Sequence, residues 1–352
     1  MSYPKTYRSY RRTGPTYPWS IVPSTEKLPE TLAEHDVVIR IRAVALNYRD
    51  FAMLKEGRYP VPVDPNGIPA SDCAAEVVAI GNAVTKFAIG DHVSPTINHA
   101  HLLDTPEERD LEDIAAGGNG PGVLAEYAVF EEKVLVKLPA HLSWEEASTI
   151  TCAGITAWVA LGALRDPTKG TTALFQGTGG VSMFALLIAL AAGIKPIITS
   201  SSNEKLDRVK KISPEIEGIN YKTHPDVAAE ALRLTDGKGV DYLINNTGGN
   251  SVPSDLKTLR TKRGTLSLVG FLEGFEAKWD SNVFLTLIVK AVKVQGILSG
   301  SRKDFEDLNR FLDEKLVSLE PLIDRVFAFE DSVAAFEYLE TGQHVGKVVI
   351  KI

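Results

Sequence analysis

The stretch Gly177-Thr178-Gly179-Gly180-Val181-Ser182 constrains this chain more than any other. It lies between an apolar run, Ala173-Leu174-Phe175, and a helix-like stretch from Met183 to Ala192. A buried strand that runs into a glycine turn and then a helix leaves unpaired backbone N–H groups at the helix start, where a pyrophosphate can sit. Gly193 ends the helix, and Pro196-Ile197-Ile198-Thr199 supplies a second strand, completing a βαβ unit. Glycines alone are weak evidence; the strand–helix–strand context turns them into an expectation of dinucleotide binding at Gly177, Thr178, Gly179, Gly180 and Val181. Ser182 stands at the motif's third glycine, a small hydroxyl that helix–strand packing tolerates and that could also donate to a phosphate.

The end of the second strand selects the cofactor. An NAD site needs a carboxylate about 20 residues beyond the glycines to accept from the ribose 2′-OH. Here the strand runs into Thr199-Ser200-Ser201-Ser202, with Lys205 and Arg208 in the following helix. Hydroxyls and cations suit a 2′-phosphate, which a carboxylate would repel, so NADP(H) is the expected cofactor, held by Ser200, Ser201 and Lys205. A second role is compatible with this one: Ser201 or Ser202 caps the helix, with Glu204 closing a capping box.

With 352 residues the chain exceeds one core, so two domains are expected. A formal charge of −7 gives no electrostatic reason to expect nucleic acid or an anionic membrane as partner. Two cysteines, Cys73 and Cys152, make no disulfide framework and suit a reducing cytosol. Met1-Ser2-Tyr3-Pro4-Lys5 lacks the apolar core of a signal peptide, and no stretch reaches the ~18 apolar residues of a membrane span. The longest apolar stretches, Val181 to Ile194 and Val283 to Val294, read as buried helix or strand. A soluble, cytoplasmic protein acting on a small molecule is expected.

The first 140 or so residues read as strands and turns: Val37 to Ala45, Ala74 to Ile80, His92-Val93, Leu124 to Phe130 and Lys133 to Leu138 suggest an antiparallel barrel-like domain. From the capping box Ser143-Trp144-Glu145-Glu146 onward, helices and strands alternate as far as a last strand, Val292 to Leu298, the pattern of a doubly wound parallel sheet. A helix (Lys303 to Leu316), Val326-Phe327 and a closing strand Lys347 to Ile352 follow, and those last strands can pair back onto the first domain. Pro95 to Gly122 is a long polar segment, acidic and then glycine-rich, that reads equally as a lid or as a solvated excursion.

These residues resemble the medium-chain dehydrogenase/reductase superfamily over nearly the whole chain. The carrying motifs are Ala45-Leu46-Asn47-Tyr48-Arg49-Asp50, Ala70 to Gly81, Gly90-Asp91-His92-Val93, Cys152 to Trp158, the glycine turn, Gly218-Ile219-Asn220-Tyr221, Val269-Gly270-Phe271 and Gly346-Lys347. The resemblance implies an α/β protein: a GroES-like β-barrel catalytic domain from 1–141 and 302–352, and a Rossmann NADP-binding domain at 142–301. It implies a cofactor in the cleft and a homodimer or homotetramer formed through the Rossmann sheet edge, at Val283 to Val294. It also implies that Tyr221 lies near the 2′-phosphate or adenine, and that Thr156, Asn246, Thr247, Gly270, Phe271, Leu298 and Ser299 line the ribose and nicotinamide. Lys347 either reaches the cofactor from the closing strand or is a surface lysine.

The zinc branch of the superfamily needs a cysteine where Asn47 stands, a histidine where Ser71 stands and a third ligand near Cys152. One thiol without partners does not make a tetrahedral site, and Pro95 to Gly122 lacks the four cysteines of a structural zinc lobe. His99 and His101 read as loop histidines. The chain therefore resembles the zinc-independent, quinone-oxidoreductase-like branch. Without a Lewis acid, a substrate that spreads its own charge, such as an enone, an enoyl thioester or a quinone, is easier to reduce than a plain ketone. Asn47 can offer an amide N–H to the substrate oxygen, and Tyr59 matches the proton-donating tyrosine of related enoyl reductases at a spacing one residue different. Asp50 is expected to brace the loop. The leading expectation is an NADPH-dependent reductase of activated C=C bonds or quinones. A tailoring reductase of one secondary-metabolite or polyketide intermediate, an alcohol dehydrogenase and an NADPH-binding protein without turnover remain open.

Overall fold

A computed structural model describes residues 3–164, 170–274 and 276–352; Met1 and Ser2 of the leader reading lie outside them. The chain divides into two compact units, 1–155 with 299–352, and 156–298.

The first unit contains β1 (Thr6–Arg12), β2 (Ile21–Lys27), β3 (Asp36–Leu46), β4 (Asp72–Ile80), β5 (His92–Pro95), β6 (Tyr127–Glu131) and β7 (Leu135–Lys137). The second contains β8 (Thr172–Phe175), β9 (Lys195–Ser200), β10 (Glu217–Asn220), β11 (Tyr242–Asn245), β12 (Thr265–Leu268) and β13 (Lys293–Gly296). The chain then returns to the first unit with β14 (Ile323–Ala328) and β15 (Lys347–Lys351).

β3 organises the first unit. It pairs antiparallel with β4, β6 and β15, so both of its edges carry hydrogen-bonded neighbours. The full path is β14-β15-β3-β4-β5-β7, with β6 on β3. The alternation of Val37 to Ala45 predicts a half-buried strand; a central position instead buries Val37, Val38 and Ile39 alike and leaves Arg40 exposed. A hairpin of β1 and β2, which sequence periodicity does not single out, adds Tyr10, Trp19 and Ile21 to the core around Val44, Leu46, Phe51 and Ile350. The unit also keeps the helical turn Ile150–Gly154, although the sequence places the boundary before Ser143. The reason is polar: Ser94 and Thr151 hydroxyls meet at 2.7 Å, and the Cys152 N–H donates to Asp72 at 3.0 Å.

The second unit is a six-stranded parallel sheet in the order β10-β9-β8-β11-β12-β13. From β8 the chain first winds outward through β9 and β10, then returns to β11 on the other side of β8. That reversal is the topological switch point of a doubly wound sheet, the place where ligands bind. The buried helix Gly180–Ala191 follows β8, and a core of Leu174, Ile197, Ile219, Leu243, Leu256 and Leu266 fills the interior. The expectation that Val283 to Val294 is buried needs correction. Val283 is buried, but Phe284, Leu285, Ile288 and Val289 are 57%, 59%, 75% and 69% exposed, because β13 is the last strand and nothing among the described residues covers the outer face of the helix Asn282–Lys290. Among the described residues no helix is long and apolar enough to cross a membrane.

Gly346 fixes where β15 begins. It sits at φ +86°, and a Cβ there would lie 2.0 Å from the Leu322 carbonyl oxygen. Gly346→Ala is expected to destabilise the protein by about 2 kcal/mol or more. Gly57→Ala, at φ +68° but with open space around it, should cost only about 1 kcal/mol. Thermal unfolding of the two variants measures the difference.

Candidate active site

In the second unit the glycine turn fits a pyrophosphate. Gly177 has φ +76°, and among the described residues no atom beyond the chain neighbours lies within 4 Å of a Cβ built on Gly177 or Gly179, so the turn is open. Gly179 caps the helix Gly180–Ala191 without a side-chain acceptor, which leaves the first-turn N–H groups of Gly180 and Val181 directed outward from a twelve-residue helix. Thr178 is buried beside them, and Gly177 N donates to Thr199 Oγ1 at 3.0 Å. Ser182 is not available to a phosphate: its hydroxyl donates to the Gln176 carbonyl at 2.7 Å and accepts from Asn246 Nδ2 at 2.9 Å. It ties the helix to the neighbouring turn.

At the end of β9, Ser200 is buried and Ser201 exposed. Ser202, not Ser201, caps the helix Asn203–Lys210 by accepting from Lys205 N, so Glu204 falls one position short of a capping box. Lys205 is half-buried, Arg208 exposed, and Tyr221, whose N–H donates to Ser200 O at 3.0 Å, is 41% exposed. No carboxylate stands among Ser200, Ser201 and Ser202.

Asn246 and Thr247 form the turn after β11. Gly270 packs against it so closely that a Cβ would lie 2.6 Å from the Asn246 carbonyl oxygen, and Phe271 follows Gly270. Thr156 is buried in the helix Ile155–Ala160, and Leu298 is 76% exposed. Ser299 falls in the first unit. Beneath the turns lies a polar network that motif reading does not reveal. Gln176, Asn245 and Ser251 all donate to Asp255, at 2.7, 2.7 and 2.9 Å. Burial pushes the Asp255 carboxyl up to about 7 against these hydrogen bonds. The signal was present: Val252, Asp255, Leu256 and Leu259 share one helical face, and an acid on an otherwise apolar stripe needs internal partners.

In the first unit, the buried Arg49, Asp50, Asp72 and Lys347 form a polar cluster with the half-buried Asn47 and Cys152. Lys347 is not a surface residue: it is 2% exposed, donates to Asn47 Oδ1 at 2.6 Å and lies 3.6 Å from Asp72 Oδ2. Asp72 is itself fully buried and also accepts from Ser71 Oγ at 2.7 Å. An ammonium can only donate, so its contact fixes the amide: the oxygen of Asn47 faces Lys347, and Nδ2, which is buried with no partner among the described residues, faces away. Asp50 Oδ2 accepts from Asn47 N at 2.7 Å. Tyr59 lies at the edge of the cluster, where Arg49 Nε donates to its oxygen at 3.2 Å and Arg49 also donates to Ala116 O at 2.8 Å. With Arg12, which donates to Gly117 O and Asp64 O, these contacts anchor the glycine-rich end of the 95–122 segment.

The positions where the zinc branch places its ligands do not fit zinc here. Asn47 and Ser71 are neutral, burial pushes the Cys152 thiol up to about 12, and an ammonium already holds Asn47 Oδ1. Among the described residues no group of three or more His, Cys, Asp or Glu side chains could hold a metal ion.

The comparisons agree with this architecture. The alcohol dehydrogenase GroES-like domain family matches residues 33–140, and the zinc-binding dehydrogenase family matches residues 180–314. A zinc-type alcohol dehydrogenase-like protein of Schizosaccharomyces pombe is 36% identical over 334 residues, 94% of each chain. A quinone oxidoreductase of Pseudomonas aeruginosa is 32% identical over 248 residues, 70% of this chain and 68% of that one. A solved Sinorhizobium meliloti structure described as an alcohol dehydrogenase superposes with a TM-score of 0.88 at 35% identity across 100% of both chains. The chain belongs to the medium-chain dehydrogenase/reductase superfamily, oxidoreductases that bind a nicotinamide cofactor.

Asp50 gives the cluster a pH signature. Burial raises its carboxyl from 3.8 to about 6, with Arg49 opposing the shift. Because the folded value lies above the unfolded one, the stability tied to this group is complete below the unfolded value and is lost as pH rises through about 6. Thermal melts should therefore show Asp50→Asn gaining on the parent protein between about pH 4 and about pH 8. An equal offset at both would contradict the reading.

Proposed function

We propose that this protein is an NADPH-dependent reductase of activated C=C bonds or quinones that works without a metal ion. The observation that carries the reading is the buried Asp72–Lys347–Asn47 arrangement, which presents an unpartnered amide N–H where the zinc branch has its Lewis acid. A single neutral donor is poorly matched to a localised alkoxide. It is well matched to an oxygen whose charge is shared over an enolate or a quinol ring. The quinone oxidoreductase relative supports the same substrate class.

When bound, the dinucleotide supplies the hydride. Gly177 to Val181 would hold its pyrophosphate, and Ser200, Ser201 and Lys205 its 2′-phosphate, since hydroxyls and a cation stand where an NAD site carries an acid. The protein's own contribution to the chemistry is local. Asn47 Nδ2 donates to the substrate oxygen, and Lys347 prevents that amide from turning over. Arg49 fixes the position of the Tyr59 oxygen, from which a proton can pass to the substrate carbon. We further propose that two copies associate along β13 and the exposed face of Asn282–Lys290; sedimentation velocity would find a dimer or larger assembly, and a monomer would refute this.

Oxidation of NADPH against a panel of quinones, enones and simple ketones tests the central reading. Turnover is expected with the first two classes and should survive chelation. Asn47→Ala should lower kcat/KM on the order of a hundredfold, as loss of an oxyanion donor does. Ser201→Asp should reverse the dinucleotide preference toward NADH. Preference of the parent protein for NADH, or activity that depends on stoichiometric zinc, would sink the proposal.

A further inference from the structure

The buried carboxylate beneath the glycine turn has no part in the chemistry above, yet its surroundings are unusually specified. Asp255 lies on the helix Val252–Thr258 and is 5% exposed. In its ionised form Asp255 is an acceptor only, so whatever then faces it must be a donor. Three groups do: Gln176 Nε2, Asn245 Nδ2 and Ser251 Oγ. Each amide is thereby fixed in one of its two orientations, and its oxygen must point the other way.

Both oxygens then grip the same short turn. Gln176 Oε1 accepts from Thr247 Oγ1 at 2.9 Å and lies 3.4 Å from Thr247 N. Asn245 Oδ1 accepts from Gly248 N at 2.8 Å. Gly248 sits at φ +119°, a conformation that glycine adopts and that side-chain-bearing residues rarely do. Gln176 is the residue between β8 and Gly177, whereas Asn245 ends β11. These are the two strands at the switch point, so one carboxylate connects the turns on either side of it.

We propose that Asp255 is a positioning residue for the dinucleotide: it sets the orientation of the Gln176 and Asn245 amides and so holds the Asn246–Gly248 turn in register with the glycine turn. It touches no reacting atom. The inference rests on a dinucleotide lying at this switch point, but neither on the acceptor that is reduced nor on the 2′-phosphate.

Asp255→Asn keeps shape and volume but puts an NH2 opposite amide donors, so one of them must turn over or lose its partner. Equilibrium titration with NADPH and NADH, followed by nicotinamide fluorescence, should show Kd for the preferred dinucleotide rising on the order of tenfold. Adding Gln176→Glu should restore it, because the new amide then donates to the new carboxylate, whose second oxygen accepts from Thr247. Gln176→Met tests the same link while leaving Asn245 and Ser251 on Asp255, and should raise Kd several-fold even if Asp255→Asn does not fold. A lower melting temperature with unchanged Kd, or no rescue by the paired exchange, would reduce Asp255 to a stability role and overturn the inference. Tight dinucleotide binding by the parent and by both single variants would overturn it alone. Failure of the parent to bind either dinucleotide would remove it together with the cofactor reading.

Discussion

The reversal of strand order between β8 and β11 is the constraint on which the rest of the second unit depends. Two parallel strands whose following connections leave in opposite directions cannot cover the space beyond their C-terminal ends with their own crossover helices. What remains there must be made of turns, and turns expose backbone polar groups that need partners. The chain supplies some of those partners through Ser182, Gln176, Asn245 and Asp255, and the helix Gly180–Ala191 starts there without a side-chain cap.

The first unit faces a different difficulty, the cost of burying charge. Lys347, Asp72, Arg49 and Asp50 are all withdrawn from water. Such groups persist only when paired or hydrogen-bonded, and each here has a named partner in Asn47, Ser71, Cys152, Tyr59 or Ala116. The arrangement stabilises little on balance. Its consequence is orientation: an ammonium beside an amide leaves that amide only one way to face.

Much of this was legible before any coordinates. The glycine turn, its flanking strands and the alternation after Ser143 gave the parallel sheet because those patterns are local, with period two in strands and a helix bounded by glycine. The absence of an acid after β9 and of zinc ligands at Asn47 and Ser71 could likewise be read directly. Other features depend on tertiary contacts that residue patterns do not carry. Whether Ser201 or Ser202 caps a helix turns on one residue of register. Whether Phe284 and Ile288 are buried depends on having a neighbour beyond β13. Lys347 looks like an ordinary strand lysine until β15 is laid against β3, which brings it to Asn47.

The sequence by itself determined the class of fold, the place of the glycine turn and the residue types at the zinc-branch positions, since each depends on residue type at short spacing. Tertiary structure decided which polar groups meet. Asn47 with Lys347 and Gln176 with Asp255 are far apart along the chain, and hydrogen bonds have ranges of about 3 Å that no pattern of residue types encodes. Only the paired strands bring those atoms within that range, and only then does an amide acquire a direction.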